Sequence, residues 1–194
     1  MLDKNNITGI ILAGGKSSRM GSDKGLIELH GKPFIQYSIE ALKPWVTDII
    51  IVSDSPDYDK FGYKRVTDII KESGPVAGIC SGLEASKTNY NLVLSCDIPL
   101  INSGILEKLV SQIDNETTII QVESNGKSMP LIAFYQKACV PKFKALLEQG
   151  ERRLRIAIKS CKFKNIVLDD NDHITTMNVN TKEELKLIEN ACNN

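Results

Sequence analysis

Long apolar runs are missing from this sequence of 194 residues, and so is an excess of charge of either sign. No stretch approaches the roughly 18 consecutive apolar residues that indicate a membrane-spanning helix. The 24 basic and 24 acidic residues cancel, whereas a nucleic-acid-binding domain usually carries a basic excess. The first residues lack the apolar segment of a secretory signal. We therefore expect a cytoplasmic protein that binds neither membranes nor nucleic acids.

Patterns for metal binding through cysteine or histidine are also absent. The five cysteines are odd in number and include no C-x-x-C pair, and the two histidines, His30 and His173, lie far apart. This usage indicates neither a zinc site nor a disulfide framework. The expectation is that the cysteines are reduced and lie mostly in or near the core.

The sequence does contain an alternation of apolar strands and helical segments. The runs at 7–13, 48–54 and 91–97 are typical of strands covered on both faces, and helical patterns separate them. We expect a single α/β domain over residues 1–194, a Rossmann-like three-layer sandwich with helices on both faces of a mostly parallel sheet. Two later strands flank Asn125-Gly126, which predicts a hairpin.

Ligands in such sheets bind beyond the carboxyl ends of the strands, so four loops are candidates for the site. They span 13–25, 53–57, 68–78 and 96–99. Two helix starts are also marked: Ser103 is the expected cap of one helix, and Thr181 with Glu184 forms a capping-box pair before the last.

The loop "LAGGKSSRMGSDKG" (12–25) is rich in glycine and cations but fits neither familiar phosphate motif. A P-loop would need glycine where Ile10 stands, and a dinucleotide fingerprint counted from Gly14 would need glycines at Lys16 and Arg19. Glycines let backbone amides approach an anion, and Arg19 and Lys24 add positive charge. The loop therefore favours a polyphosphate ligand, with a solvated basic surface loop as the alternative.

The same loop resembles L-A-G-G-x-x-x-R-M-G-x-D-K, a signature of the molybdenum cofactor guanylyltransferases, the MobA family of the nucleotidyltransferase superfold. This superfold is the nucleotide-diphospho-sugar transferase-like sandwich. "HGKPFIQYSIEAL", "SGPVAGI", "SCDIPLI", "QGERRLR" and "MNVNTKEEL" are similar to further family elements, in order along the chain. The resemblance covers Leu12 to Leu185.

The resemblance implies transfer of GMP from GTP to molybdopterin, with Mg²⁺ as cofactor and release of pyrophosphate. It implies catalytic roles for Arg19, Lys24 and Asp97, and magnesium ligation by Asp97 and Asn180. The implied nucleotide-binding residues are Leu12, Ala13, Gly14, Gly15, Lys24, Asp68, Gly78 and Asp97.

Several of these residues also have a purely structural interpretation. Asp97 ends an apolar strand, where a hard carboxylate suits Mg²⁺ but where aspartate also commonly starts a turn. Asp68 could be a solvated loop residue, Gly78 a close-packing glycine, and Asn180 a turn residue beside the helix cap.

The choice of base rests on the resemblance, because Gly14-Gly15 and the segment 74–78 resemble the guanine-using type. Two positions depart from the family pattern. Val52 or Asp54 stands where the family commonly has Asn, which leaves the base contact open; Asp54 could accept hydrogen bonds from guanine. Met129 stands where a His is frequent, which leaves the pterin side open. The charged segment "GERR" (150–153) is either solvated, a site for the pterin phosphate or an oligomer contact.

Two other functions remain open at this point. One is a related nucleotidyltransferase that uses CTP or a sugar phosphate, and the other is a non-catalytic nucleotide-binding partner. The sequence also leaves open the oligomeric state, the need for a helper protein and the identity of the recipient molybdoenzymes.

Overall fold

The computed structural model describes residues 6–14, 23–70, 73–169 and 172–192. The strands are β1 (Ile7–Leu12), β2 (Glu28–Leu29), β3 (Lys32–Pro33), β4 (Asp48–Val52), β5 (Lys64–Val66), β6 (Tyr90–Ser95), β7 (Ile119–Ser124), β8 (Lys127–Gln136) and β9 (Phe163–Val167). The helices are α1 (Phe34–Leu42), α2 (Gly74–Ala85), α3 (Ser103–Ser111), α4 (Val140–Glu148), α5 (Leu154–Lys159) and α6 (Lys182–Cys192).

Seven strands form one sheet in the order β5-β4-β1-β6-β8-β7-β9, and β2 and β3 form a small separate hairpin. Within the large sheet, β5, β4, β1 and β6 pair in parallel, as do β7 and β9, whereas β8 is antiparallel to both β6 and β7. The expected mostly parallel α/β sheet is confirmed. The exception follows from the predicted hairpin, because two strands joined by a two-residue turn must be antiparallel.

Side chains that alternate along the strands create one core on each face of the sheet. Ile11 of β1, Ile51 of β4 and Leu94 of β6 pack on the side of α1 and α3. Ile10 and Val93 face the other side, toward α2, α4 and α5. A strand with both faces covered must be apolar at successive positions, and this explains the near-continuous apolar runs in the sequence. The helix α6 contributes Ile188 to a smaller cluster with Leu29 and Phe34.

Local signals mostly act where the sequence places them. Asn125 and Gly126 both have positive φ values, as a two-residue hairpin turn requires. The capping box is confirmed: the Glu184 carboxylate accepts from the backbone N–H of Thr181 at 3.0 Å, and Thr181 Oγ1 accepts from the N–H of Glu184 at 3.1 Å. The Ser103 cap is wrong by one residue. Asn102 caps α3, because its Oδ1 accepts from the N–H of Ile105.

Among the described residues, no helix combines the length and the apolar character needed to cross a bilayer.

Candidate active site

The carboxyl ends of the parallel strands surround a cleft of about 820 Å³. The loops after β1, β4, β5 and β6 all open into it, as expected for a sheet of this kind. The described residues that line it are Leu12, Gly14, Asp23, Val52, Ser53, Asp54, Ser55, Asp68, Gly74, Pro75, Gly78, Ser95, Asp97 and Leu131.

Asp97 lies two residues beyond β6 and is only 8% exposed. Its Oδ1 accepts hydrogen bonds from Ser95 Oγ at 2.6 Å and from Asn178 Nδ2 at 3.1 Å. Its backbone carbonyl also accepts from the N–H of Val179 at 2.8 Å. The two bonds to Oδ1 orient the carboxylate so that Oδ2 faces a cation, and the third bond fixes the backbone of Asp97.

The cation that meets Asp97 is Lys24. Its Nζ lies 3.1 Å from Asp97 Oδ2 and also donates to Asn180 Oδ1. Asn180 is itself held by its backbone, because its N–H donates to the capping-box carboxylate of Glu184 at 2.6 Å. Asp97 and Asn180 lie 73 and 156 positions from Lys24 in sequence, yet both contact its ammonium group.

The donor set around Lys24 Nζ fits a magnesium ion. One carboxylate oxygen and one amide oxygen converge on one position, which the Lys24 ammonium occupies in this structure and would leave for Mg²⁺ to bind there. Mg²⁺ is usually bound by one or two carboxylates, with water and substrate phosphates completing its shell. No group of three or more His, Cys, Asp or Glu side chains suited to a metal occurs in the part of the chain that is described. Asp97 and Asn180 are therefore oxygen donors of the kind that Mg²⁺ takes.

The opposite wall of the cleft carries two further carboxylates. Burial raises the pKa of Asp68 above its ordinary value, and the negative charge of Asp54 raises that pKa further. Gly78 lies beside them: a Cβ there would stand 3.3 Å from Asp68 Oδ1 and 3.4 Å from a Leu12 methyl group. The absence of a side chain at Gly78 leaves room for Asp68. Gly78 is therefore a close-packing glycine that also lines the cleft.

The structure brings most predicted residues together. Leu12, Gly14, Asp68, Gly78 and Asp97 line the cleft, and Lys24 and Asn180 meet at Asp97. Ala13 does not join them: its side chain is fully buried, and its N–H is already bonded to the carbonyl of Val52. Gly15 and Arg19 lie outside the described residues, so their roles stay predictions.

At the position left open between Val52 and Asp54, both residues line the cleft, but only Asp54 has a polar side chain there.

Sequence reasoning missed the residues that orient the site. Ser95 and Asn178 hold the Asp97 carboxylate, and Tyr58 donates a hydrogen bond to Asp23 beside Lys24. Asn178 had a usable signal, as the first Asn of the N-V-N element whose second Asn was predicted. Tyr58 had none, because its partner lies 35 residues away in sequence.

A second cavity of about 520 Å³ adjoins the cleft. Pro75 and Leu131 line both spaces, so the two are neighbours. Its wall is apolar around Met129, Leu131 and Ile156, and Arg153 and Arg155 add positive charge. Arg153 donates two hydrogen bonds to the Glu151 carboxylate, so the charged "GERR" segment borders this cavity.

A parallel-sheet cleft with a buried strand-end aspartate, a lysine and an asparagine at its edge fits the chemistry of an α/β nucleotidyltransferase. The sequence profile of the MobA-like NTP transferase domain matches residues 9–162. The chain belongs to that family.

Known proteins are similar to this chain over nearly its full length. A protein of Flavobacterium johnsoniae named "probable molybdenum cofactor guanylyltransferase" is 36% identical over 179 residues, covering 92% of this chain and 94% of that protein. The molybdenum cofactor guanylyltransferase of Vibrio parahaemolyticus is 34% identical, covering 95% and 96%. The crystal structure of molybdopterin-guanine dinucleotide biosynthesis protein A from Archaeoglobus fulgidus has the same fold, with a TM-score of 0.79 at 21% identity over 96% of this chain and 98% of that one.

Proposed function

We propose that this protein is a molybdenum cofactor guanylyltransferase, which transfers GMP from GTP to molybdopterin and releases pyrophosphate. The observation that carries the proposal is the convergence of Asp97, Lys24 and Asn180 at the edge of a cleft that lies beside a second cavity. Such a transfer needs two substrates bound side by side, one at each space. The names of the full-length relatives support the same reaction.

In this reaction a phosphate oxygen of molybdopterin attacks the α-phosphorus of GTP, and the bond to the leaving pyrophosphate breaks. The protein contributes mainly by positioning the two phosphates and by neutralising their charge. Lys24 supplies one positive charge at the edge of the cleft, and Arg19 is predicted to supply another. Gly14 and Gly15 are predicted to let backbone amides approach the phosphates.

Asp97 and Asn180 would hold Mg²⁺. When bound, the ion would neutralise triphosphate charge and orient the phosphates for displacement. Ser95 and Asn178 support this role, because their hydrogen bonds to Asp97 Oδ1 leave Oδ2 directed at the cation position.

Asp54 and Asp68 are the residues we propose for base recognition. Burial and the negative charge of Asp54 raise the pKa of Asp68, so a ligand with N–H donors would relieve an unfavourable arrangement. Guanine presents an N1–H and an exocyclic amino group on one edge, and a carboxylate can accept from both. A site built for two donors disfavours a base that offers only one.

The second cavity is the proposed acceptor site. A pterin is flat and largely suited to apolar contact, and the walls at Met129, Leu131 and Ile156 offer such contact. Arg153 and Arg155 offer charge for the molybdopterin phosphate. Met129 supplies apolar contact where a His is frequent in the family.

The test is pyrophosphate release by the purified protein with molybdopterin and each of GTP, CTP, UTP and ATP. We expect turnover with GTP to exceed that with the other three. Equal rates with GTP and CTP would contradict the choice of guanine, and activity only with a sugar phosphate as acceptor would contradict the choice of molybdopterin. If no triphosphate supported transfer to either acceptor, a nucleotide-binding protein without catalytic activity would be the better description.

A further inference from the structure

Tyr58 is a fully buried tyrosine whose hydroxyl points at Asp23, the residue before Lys24. It lies in the 3₁₀ turn Pro56–Phe61, which follows the cleft-lining residues Asp54 and Ser55. Its hydroxyl donates to Asp23 Oδ1, and the same Asp23 oxygen accepts from the N–H of Gly25 at 3.2 Å. Asp23 and Gly25 flank Lys24, so these two bonds fix the backbone on both sides of the lysine.

The Tyr58 hydroxyl remains a proton donor in this setting. Burial raises the pKa of the phenol far above its ordinary value, and the negative charge on Asp23 adds to this effect. A neutral phenol and a charged acceptor form a strong hydrogen bond when partly shielded from water. The phenol therefore stays protonated and donates to Asp23.

Gly25 has no room for a side chain because Tyr58 fills the space. A Cβ at Gly25 would overlap the Tyr58 hydroxyl and would lie only 3.1 Å from Cys96 Sγ. The segment 23–26 therefore packs directly on the phenol ring and on the residue that precedes Asp97. The Tyr58 ring therefore lies against the segment that carries Lys24, and the same space beside Gly25 is bordered by Cys96, the residue before Asp97.

We propose that Tyr58 is a positioning residue that holds the Asp23–Leu26 segment so that the Lys24 ammonium reaches Asp97 and Asn180. The turn that carries Tyr58 begins at Ser55, whose side chain accepts from the N–H of Asp57. Tyr58 thus connects the base side of the cleft to its phosphate side. The kinetic consequence rests on the proposed function, whereas the placement of Lys24 does not.

The kinetic test compares Tyr58→Phe with Tyr37→Phe, which also removes a hydroxyl that donates to an acceptor, the Leu29 carbonyl, at 2.7 Å. We expect Tyr58→Phe to lower kcat about tenfold with the KM for GTP changed less than about twofold, and Tyr37→Phe to leave both near wild type. In the background of Lys24→Met, Tyr58→Phe should have no further effect on kcat, because the group it positions is gone. Additive losses in that double variant would overturn the proposal.

A second measurement does not depend on turnover. The rate at which an N-hydroxysuccinimide acetate reagent acylates Lys24, followed by peptide mass spectrometry, reports how firmly the ammonium is held. We expect Tyr58→Phe to raise this rate by about threefold or more and Tyr37→Phe to leave it unchanged. An unchanged rate in Tyr58→Phe would overturn the proposal, even if the protein turned over GTP. A raised rate in a protein without GTP activity would support the positioning role and contradict only the proposed function.

Packing offers a third check of the same contact. Gly25→Ala should lower the Tm, because the new methyl group meets the Tyr58 hydroxyl. Adding Tyr58→Phe should restore part of that loss, since it removes the closest atom. If the Tm losses of Gly25→Ala and Tyr58→Phe simply added in the double variant, the two residues would not be in contact as we propose.

Discussion

The two ends of β1 and β6 both carry polar side chains but use them differently. At the carboxyl ends, Asp97, Lys24 and Asn180 meet through side chains at the wall of an open cleft. At the amino ends, Thr8 Oγ1 and Thr88 Oγ1 lie 2.8 Å apart, and Thr88 Oγ1 also donates to the Tyr90 carbonyl. Six residues of strand separate the two groups by roughly 20 Å.

One lysine at each end of these strands illustrates the different uses of polar groups. Lys24 bridges two side-chain oxygens that a ligand could also engage. Lys137 donates to the backbone carbonyls of Ser86 and Glu84, the last residues around the end of α2. A cation on carbonyls at a helix C-terminus stabilises the fold. A cation on a fixed carboxylate beside a cleft is available for chemistry, and the mutations below separate these two uses.

The largest effect is expected for Asp97→Asn. The amide keeps the shape of the side chain but removes the charge that faces Lys24 and the proposed metal, so kcat should fall about 10³-fold. The Tm should change by only a few degrees, because Ser95 still has an oxygen to donate to. Steady-state kinetics and thermal denaturation measure the two effects.

Asp48→Asn is the matched control, since Asp48 is an exposed aspartate at the amino end of β4. Its turnover should equal that of wild type. Retention of more than about a tenth of wild-type kcat by Asp97→Asn would contradict the assignment of Asp97.

The next largest effect is expected from a pair of lysine substitutions. Lys24→Met should lower kcat/KM for GTP about 10²-fold, which corresponds to about 2.7 kcal/mol of lost transition-state stabilisation. Lys137→Met should lower the Tm and leave kcat/KM unchanged, because it removes only carbonyl contacts. If the two substitutions had the same kinetic effect, the two ends of the sheet would not differ as described.

Asp68→Asn should weaken GTP binding and raise the thermal stability of the protein. The native pKa of Asp68 is raised by burial and by Asp54, so between the unfolded pKa of about 3.9 and the native value the folded state binds more protons than the unfolded state. Stability from this group is therefore present at low pH and is lost as pH rises through the native pKa. We expect Asp68→Asn to raise the Tm at pH 7, with the gain shrinking toward pH 4, and to weaken GTP binding about tenfold.

Thermal denaturation between pH 4 and pH 8 and a GTP titration together test this expectation. Asp57→Asn is a suitable control, because Asp57 is exposed in the same loop region and does not line the cleft. A Tm gain that grew toward low pH would contradict the sign of the Asp68 effect.

A smaller effect, on stability alone, is expected from Thr88→Val. Valine keeps the shape of the side chain but loses the hydroxyl contacts to Thr8, Ser86 and the Tyr90 carbonyl. The free energy of unfolding should fall by about 1–2 kcal/mol, measured by urea denaturation. The kcat should equal that of wild type. A loss of kcat without a loss of stability would connect this end of the sheet to catalysis.

Much of this contrast could be predicted from the sequence, for a physical reason. Apolar runs locate buried strands, and parallel strands place their carboxyl ends at one edge, so Asp97, Asp68 and Gly78 could be assigned to one cleft before their contacts were known. Partners such as Asn178 on Asp97 and Tyr58 on Asp23 could not, because they join residues 81 and 35 positions apart through packing that no local pattern encodes. The cap of α3 was missed by one residue, since Asn102 and Ser103 are both good caps and only geometry separates them.

The smallest effect on activity is expected from modification of Cys161, which lies two residues before β9, at the amino end of that strand. The neighbouring Cys139 side chain is the main cause that lowers the pKa of Cys161, with Ser160 and Lys142 contributing, whereas burial raises the pKa of Cys80 and Cys96. Cys161 is partly exposed, whereas those two are buried.

Iodoacetamide at pH 7 should therefore alkylate Cys161 about tenfold faster than Cys80 or Cys96, because the thiolate is the reactive form. Peptide mass spectrometry identifies the modified thiol, and Cys161→Ser should abolish the fast reaction. Cys139, the partner of Cys161, bonds to the carbonyl of Thr118 just before β7, whereas the residues that line the cleft follow the opposite ends of their strands. GTP turnover should consequently survive complete alkylation of Cys161. Its loss would mean that the amino-end region, here assigned to stability alone, also controls the geometry of the active site.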